Sequence, residues 1–509
     1  MLAGMGRQGG KRTDERADGD APRSPIAFVA CSNGEHVPAE ESARDRLARA
    51  RFAAIVEEKH GRLGLSRREF AQSACGVAAA LLVINQVYGC SDDGTRAQAP
   101  ASGKPPTSGG TGAAAGAGAT DAGYAVTPEM TEDAGLACAA LTDPEQLVID
   151  VQMHPPNPLS PWADRPLSMD AETFITTAFV DSDTTIGVVS GIPDARNLAL
   201  PNVEANSMLQ EIVARLAGPR LRFHANVKPD LGPSELEYME QVAAAYDPIA
   251  WKVYPHVGNW RLDSQEVGLP FVERGSALGV KIIAAHRGIA DDAGDYAAPS
   301  SPIDLVLAAK QNPQVAFLTY HSGWQGNVDE NHPFDPDDDN PRGVDRLVKA
   351  VLDQGLGQSG NVYAELGSTW RNLMTSPEAA AHVLGKLLKY VGEERVLWGT
   401  DSVFTGSPQE QISALRSFQI PEAMQDLYGY PALTPTIKRK IFGFNAARIY
   451  GLDIEAMRCA IADDFIERLR MARRDDPRAV PVPSERAYGP RTRREFLAFE
   501  RWERHFRLS

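Results

Sequence analysis

Val148-Ile149-Asp150-Val151-Gln152-Met153-His154 is a short run rich in β-branched and apolar residues that ends on a histidine. Side chains alternate across an extended strand, so Asp150, Gln152 and His154 project to one side. Outward along the chain, comparable runs recur as Thr185–Val189, Leu221–Ala225, Ile249–Tyr254, Val280–Ala284, Val315–Thr319, Val362–Glu365 and Val396–Gly399; with Leu147–Val151 they make eight. Each is too short for an ordinary helix and most lack strict alternation, which is the pattern of parallel strands buried on both faces. Helix-like segments separate them. Eight such strands alternating with helices predict an α/β chain folded as a (β/α)8 barrel (a TIM barrel), with residues 150, 152 and 154 facing its interior.

The 509 residues exceed one barrel and leave room for appendages. A content of 43 % hydrophobic and 23 % charged residues is that of a soluble globular protein. The net charge of −15 argues against nucleic acid as a partner, because phosphate binding needs a basic face. Five cysteines, Cys31, Cys75, Cys90, Cys138 and Cys459, are scattered without a CxxC, so no disulfide framework is indicated.

Residues 1–65 are mixed-charge and read as a disordered leader or n-region; within them Ser42–Lys59 has helix-forming composition but no clear apolar face. Ser66-Arg67-Arg68-Glu69-Phe70 then precedes an apolar run, Ala74–Ile84. That run is too short to cross a bilayer as a permanent helix and has the size of the h-region of an export signal. With its paired arginines the segment 66–90 resembles a twin-arginine signal, which implies a periplasmic or envelope location. Val87-Tyr88-Gly89-Cys90 resembles a bacterial lipobox with an unusual Tyr88, making Cys90 a candidate lipidation site and lipid anchor. Residues 91–140 are a Gly/Ala/Ser-rich linker by composition. The barrel is expected over 141–452 and a helical extension over 453–509. In that extension Thr492–Phe506 opens with a Thr-x-x-Glu capping pattern and sets Phe496, Phe499, Trp502 and Phe506 on one helical face. The face is expected to pack on the barrel exterior, the alternative being contact with a second copy in a homodimer.

Chemistry-bearing residues fall where the strands end, and in a barrel the C-terminal strand ends form the active-site face. The first run ends in Gln152-Met153-His154, the fifth in Ala285-His286-Arg287, the sixth in Tyr320-His321-Ser322 and the eighth in Thr400-Asp401-Ser402. Imidazoles and a carboxylate converging from separate strands can hold a divalent metal while leaving positions open for water or substrate. Such a set suits zinc, and also manganese or iron.

These residues resemble the amidohydrolase-related family, in the branch that holds aminocarboxymuconate-semialdehyde decarboxylase and the resorcylate-type decarboxylases beside hydrolases. The resemblance runs from Leu147 to Gly451 and includes Lys440-Ile441-Phe442-Gly443-Phe444-Asn445-Ala446-Ala447-Arg448-Ile449-Tyr450-Gly451, similar to the family's closing helix. It implies His154, His286 and Asp401 as metal ligands, with Asp401 and His321 catalytic. Gln152 stands where the family usually has the first His of His-x-His, which makes it a weak neutral ligand or a group that bonds a bound water. In other branches of the family a strand-four Lys is carboxylated between two metals; the mononuclear branch resembled here makes Lys252 a substrate-anion or hydrogen-bonding group. Glu365 is expected to bond Lys252 or to compensate for Gln152, and His256, Arg287, Trp260 and Trp324 to line the substrate pocket. The function implied is a metal-dependent hydrolase acting on a C–N or C–O bond of a small organic molecule. The alternatives are a non-oxidative decarboxylase of a small aromatic or unsaturated acid and, from Gln152, a catalytically silent barrel that binds a ligand.

Overall fold

The computed structural model describes residues 23–32, 37–89, 123–155, 171–192, 202–289, 300–403, 405–475 and 492–497. Its eight strands follow the eight runs: β1 Ile149–Met153, β2 Ile186–Val189, β3 Leu221–Asn226, β4 Ala250–Val253, β5 Ile282–His286, β6 Ala316–Tyr320, β7 Val362–Glu365 and β8 Val396–Leu397. Every neighbouring pair is parallel and the order is sequential from β1 to β8. The ring closes where the chain past β8 returns to β1. Val151 N–H donates to the Trp398 carbonyl at 3.1 Å, Asp401 N–H to Gln152 at 2.9 Å and His154 N–H to Ser402 at 2.6 Å. The chain is thus a (β/α)8 barrel, and these closing bonds set Gln152, His154 and Asp401 side by side.

The far end of the barrel is shut by the segment that resembles the family's closing helix. Trp398 N–H donates to the Ile441 carbonyl at 3.0 Å, and Asn445 Nδ2 donates to Val396 O at 2.9 Å and Glu393 O at 2.8 Å. Gly451 ends the helix Asn445–Tyr450 in the left-handed conformation that glycine adopts at least cost.

The N-terminal region differs from its expected reading over residues 43–88. Ala43–Lys59 is a helix, α1, started by a Ser42–Asp45 capping box, and buries Ala48, Phe52 and Val56 although it has no strongly apolar face. Arg67–Ala71 is a short helix, α2, capped by Ser66 and Glu69, so the twin arginines sit in a helical turn. The expected h-region is α3, Ala74–Tyr88. It packs against α1, against α4 (Ala134–Leu141), and against the barrel helices Pro377–Lys386 and Gln409–Ser417. Leu81, Val83 and Ile84 are wholly buried in the same apolar cluster as Trp370 and Leu415. Asn85 clamps the chain beyond the linker: its Nδ2 donates to Tyr124 O at 2.8 Å and its Oδ1 accepts from Tyr124 N at 3.2 Å. A run apolar enough for an h-region is equally apolar enough for a core, and here the barrel covers it. Among the described residues no helix is long and apolar enough to cross a membrane. Cys90 and most of the linker lie outside the described residues.

On the C-terminal side, Phe465–Asp475 lies against the outer face near β2, where Arg470 donates to the carbonyls of Phe179, Ser182 and Thr184 at 2.6–2.8 Å. The Thr492–Glu495 capping box forms, with Glu495 N–H donating to Thr492 Oγ1 at 3.2 Å, and Phe496 is buried. Phe499, Trp502 and Phe506 lie outside the described residues.

Candidate active site at the strand ends

The backbone is forced into the left-handed region at four of the strand ends: Ile289 (φ 62) after β5, His321 (67) and Ser322 (51) after β6, Ser368 (54) after β7 and Asp401 (58) after β8. Non-glycine residues rarely hold this conformation, and such strain gathers at functional sites. Each outlier lies on the face where His154, His286, His321 and Asp401 are buried.

His154 and Asp401 touch. His154 Nε2 lies 3.0 Å from Asp401 Oδ1. Across the ring, Nδ1 lies 2.9 Å from the Ser190 carbonyl, an acceptor, so Nδ1 carries the proton. In a neutral ring the Nε2 lone pair would then face a carboxylate oxygen, a contact that needs a proton or a metal cation to be favourable. Burial raises the Asp401 carboxyl, but the hydrogen bond and charge of His154, with His321 and Ser368, outweigh it and hold the group well below the usual carboxylate range. Asp401 is therefore the site's anion.

Gln152 fills the third corner. Its Nε2 donates to Asp401 Oδ1 at 3.0 Å and lies 3.3 Å from His154 Nε2. Its Oε1 is buried without a hydrogen-bond partner. In this orientation the amide presents nitrogen, a donor, at the place where a ligand oxygen is needed. Glu365 lies beside it. A Cβ on Gly367 would overlap both Gln152 Oε1 and Glu365 Oε1, and one on Gly399 would overlap Glu365 Oε1, so two glycines make the slot that the two side chains share. Glu365 accepts from Gly367 N–H at 2.5 Å and His321 N–H at 3.1 Å. Burial pushes its carboxyl up to about 8, so near neutral pH it is held protonated.

His286 and His321 complete the cluster with ring centroids 4.6 Å apart, and His256 lies 4.3 Å from His286 on the other side. Burial, followed by the charge of Lys252, holds His286 well below its ordinary value, which leaves it neutral. His321 Nδ1 donates to the Gly367 carbonyl at 2.7 Å, which fixes the orientation of the ring. Lys252 is wholly buried, with Nζ 3.3 Å from the Tyr320 ring centroid and 4.6 Å from that of Tyr254.

The donor chemistry of His154 and Asp401 fits a divalent cation, and the carbonyl that fixes the His154 tautomer is the usual partner of a metal-binding imidazole. The enclosure is incomplete. Among the described residues no group of three or more His, Cys, Asp or Glu is arranged to hold an ion. His286 does not close such a group with His154 and Asp401, and Gln152 faces it amide-nitrogen first.

One pocket-lining expectation ends elsewhere. Arg287 is turned away from the site into a buried pair with Asp304, Nε to Oδ1 at 3.0 Å and Nη2 to Oδ2 at 2.8 Å, because Gly288 (φ 115) turns the chain directly after it. Trp260 packs edge-on against Phe271. Trp324 is buried where the chain past β6 meets Ile289. Ser190, Gly367 and Ser368, by contrast, hold site atoms directly and carry no sequence signal except their position just past strand ends.

The Amidohydrolase family profile matches residues 149–452. No curated protein matches the chain. Solved structures similar to it include Amidohydrolase 2 from Bifidobacterium longum subsp. infantis, 16 % identical over 60 % of this chain and 100 % of that one, TM-score 0.35. A 5-carboxyvanillate decarboxylase from Sphingomonas paucimobilis is 14 % identical over 61 % and 100 %, TM-score 0.37. A dihydroxybenzoic acid decarboxylase from Polaromonas sp. JS666, with bound manganese and 2-nitroresorcinol, is 14 % identical over 60 % and 97 %, TM-score 0.37.

Proposed function

Since the chain belongs to the Amidohydrolase family, we propose that it is a metal-dependent enzyme that removes carbon dioxide, without oxidation, from a small aromatic or unsaturated acid. The observation that carries this reading is the contact of His154 Nε2 with Asp401 Oδ1, a pair set for a cation in a site shielded from water: His154 is 5 % exposed, Asp401 2 % and His321 0 %. Hydrolysis consumes a water at every turnover, whereas decarboxylation needs only a proton carrier beside the carbon.

A divalent ion held by His154 and Asp401, manganese or zinc, would supply Lewis acidity toward a substrate oxygen. Asp401 enters ionised and so begins as the base. With the substrate bound as its carboxylate, Asp401 takes a proton from solvent and passes it to the carbon that bears the carboxylate, and the carbon–carbon bond then breaks with its electron pair left on that carbon. Carboxylate plus one proton balances hydrocarbon plus CO2. His321 Nε2 hydrogen-bonds the oxygen on which charge develops when the ring is doubly protonated. Lys252 attracts the anionic substrate toward the pocket.

The test supplies the purified protein with manganese or zinc and a panel of hydroxylated aromatic and unsaturated acids beside amides and esters. Carbon dioxide release is expected, falling at least about a hundredfold in His321→Ala and Asp401→Asn. Release of an amine or alcohol instead would move the assignment to the hydrolases, and full turnover in either variant would remove these residues from the chemistry.

A further inference from the structure

Ser368 directly precedes the helix Thr369–Leu373, the position where a serine hydroxyl ordinarily accepts from the first amides of the helix. Here it makes no such bond. Its Oγ donates instead to Asp401 Oδ2 at 2.5 Å. The backbone that aims it there is in the left-handed region, φ 54, and is held by Asn372, whose N and Nδ2 both donate to the Ser368 carbonyl at 3.0 and 2.8 Å. The preceding peptide unit serves the other reacting residue, since the Gly367 carbonyl accepts from His321 Nδ1. Thr369 Oγ1 in turn donates to the His321 carbonyl at 2.8 Å.

We propose that Ser368 is a positioning residue for the reaction, and that Gly367–Ser368 forms a bracket orienting His321 and Asp401 together. The inference rests on the reading of Asp401 as the proton carrier. With Oδ2 fixed by the serine hydroxyl, Oδ1 is the oxygen presented to His154 and Gln152. The carboxylate then has one orientation rather than two, and the atom facing the site is always the same.

Two variants separate positioning from packing. Ser368→Ala removes the hydroxyl and keeps the strain. Ser368→Gly removes the hydroxyl and relieves the strain, because glycine adopts positive φ freely. Both are expected to lose about 10–100-fold in kcat, with KM within about twofold of wild type, while Ser368→Gly unfolds at a urea concentration equal to or above that of Ser368→Ala. A Ser368→Gly protein that keeps wild-type kcat overturns the proposal. A second readout needs no substrate: Ser368→Ala should lower the urea midpoint in the wild type and leave it unchanged in Asp401→Ala. Equal shifts in both backgrounds would show that the hydroxyl does not act through Asp401. If wild type turns over nothing in the panel, the functional reading falls and this pair of midpoints still decides the Ser368–Asp401 link.

Discussion

His224 shows how tightly single residues are specified inside this barrel. It is wholly buried between two tyrosines. Tyr450 OH lies 2.9 Å from Nε2 and Tyr320 OH lies 2.9 Å from Nδ1, while Tyr320 OH donates to the Val151 carbonyl at 2.7 Å. Since Tyr320 has already used its proton, His224 Nδ1 donates to it and Nε2 accepts from Tyr450. Burial first, and then the Lys252 charge, lower His224 from 6.5 to about 3. The unfolded chain therefore binds a proton below about pH 6.5 that the folded one refuses until about pH 3, so this contribution is intact above pH 6.5 and is lost as pH falls through that window. Asp150 and Glu365, raised by burial to about 7 and about 8, act in the opposite sense, so the comparison must be with a variant. Between pH 7 and pH 5 urea unfolding of wild type is expected to lose about 2 kcal/mol more than that of His224→Gln. Parallel losses would show that His224 titrates in the folded state. None of this chain of bonds was legible in sequence, since its members come from β1, β3, β6 and the closing helix. The four chemistry-bearing residues were legible because each ends its own strand. The carbonyls of Ser190 and Gly367, which fix two tautomers, were not, because a backbone acceptor has no sequence signature. Arg287 shows the limit of position alone: it follows a strand end, and the turn at Gly288 sends it to Asp304.

At the scale of elements, the strands were readable because burial on both faces forces short β-branched runs, a constraint that acts on residue type directly. The N-terminal helices were not. The composition of α3 suits an export signal and a core helix alike, and the structure packs it against neighbours. Those neighbours are Tyr124, α4 and two barrel helices, with a further tie from Ala27 N–H to Glu410 at 3.1 Å. The segment therefore behaves as part of the fold. Deleting residues 1–89 exposes the apolar surface that Leu81, Ile84 and Val87 now cover. The truncated chain is expected to melt several degrees lower than the full one and to bind a dye for exposed apolar surface. An unchanged melting temperature with no dye binding would show that α3 rests on the barrel without stabilising it.

The whole molecule gathers His154, His286, His321 and Asp401 at one end of the barrel, the other end being closed by the helix that ends at Gly451. The architecture explains why the site's parts converge: β8 returns to β1 through three backbone bonds, and these bring Asp401 against His154 and Gln152. What the barrel does not complete by itself is the cation's coordination, since Gln152 offers its amide nitrogen to Asp401 and His286 packs against the imidazoles of His256 and His321. A cation would therefore settle the account of the site most directly. Crystals soaked in manganese, with data collected at the manganese absorption edge, are expected to show one anomalous peak within coordinating distance of His154 Nε2 and Asp401 Oδ1. A map with no peak there at full soaking, or with the manganese bound only elsewhere, would contradict the reading of this cluster as a metal-dependent active site.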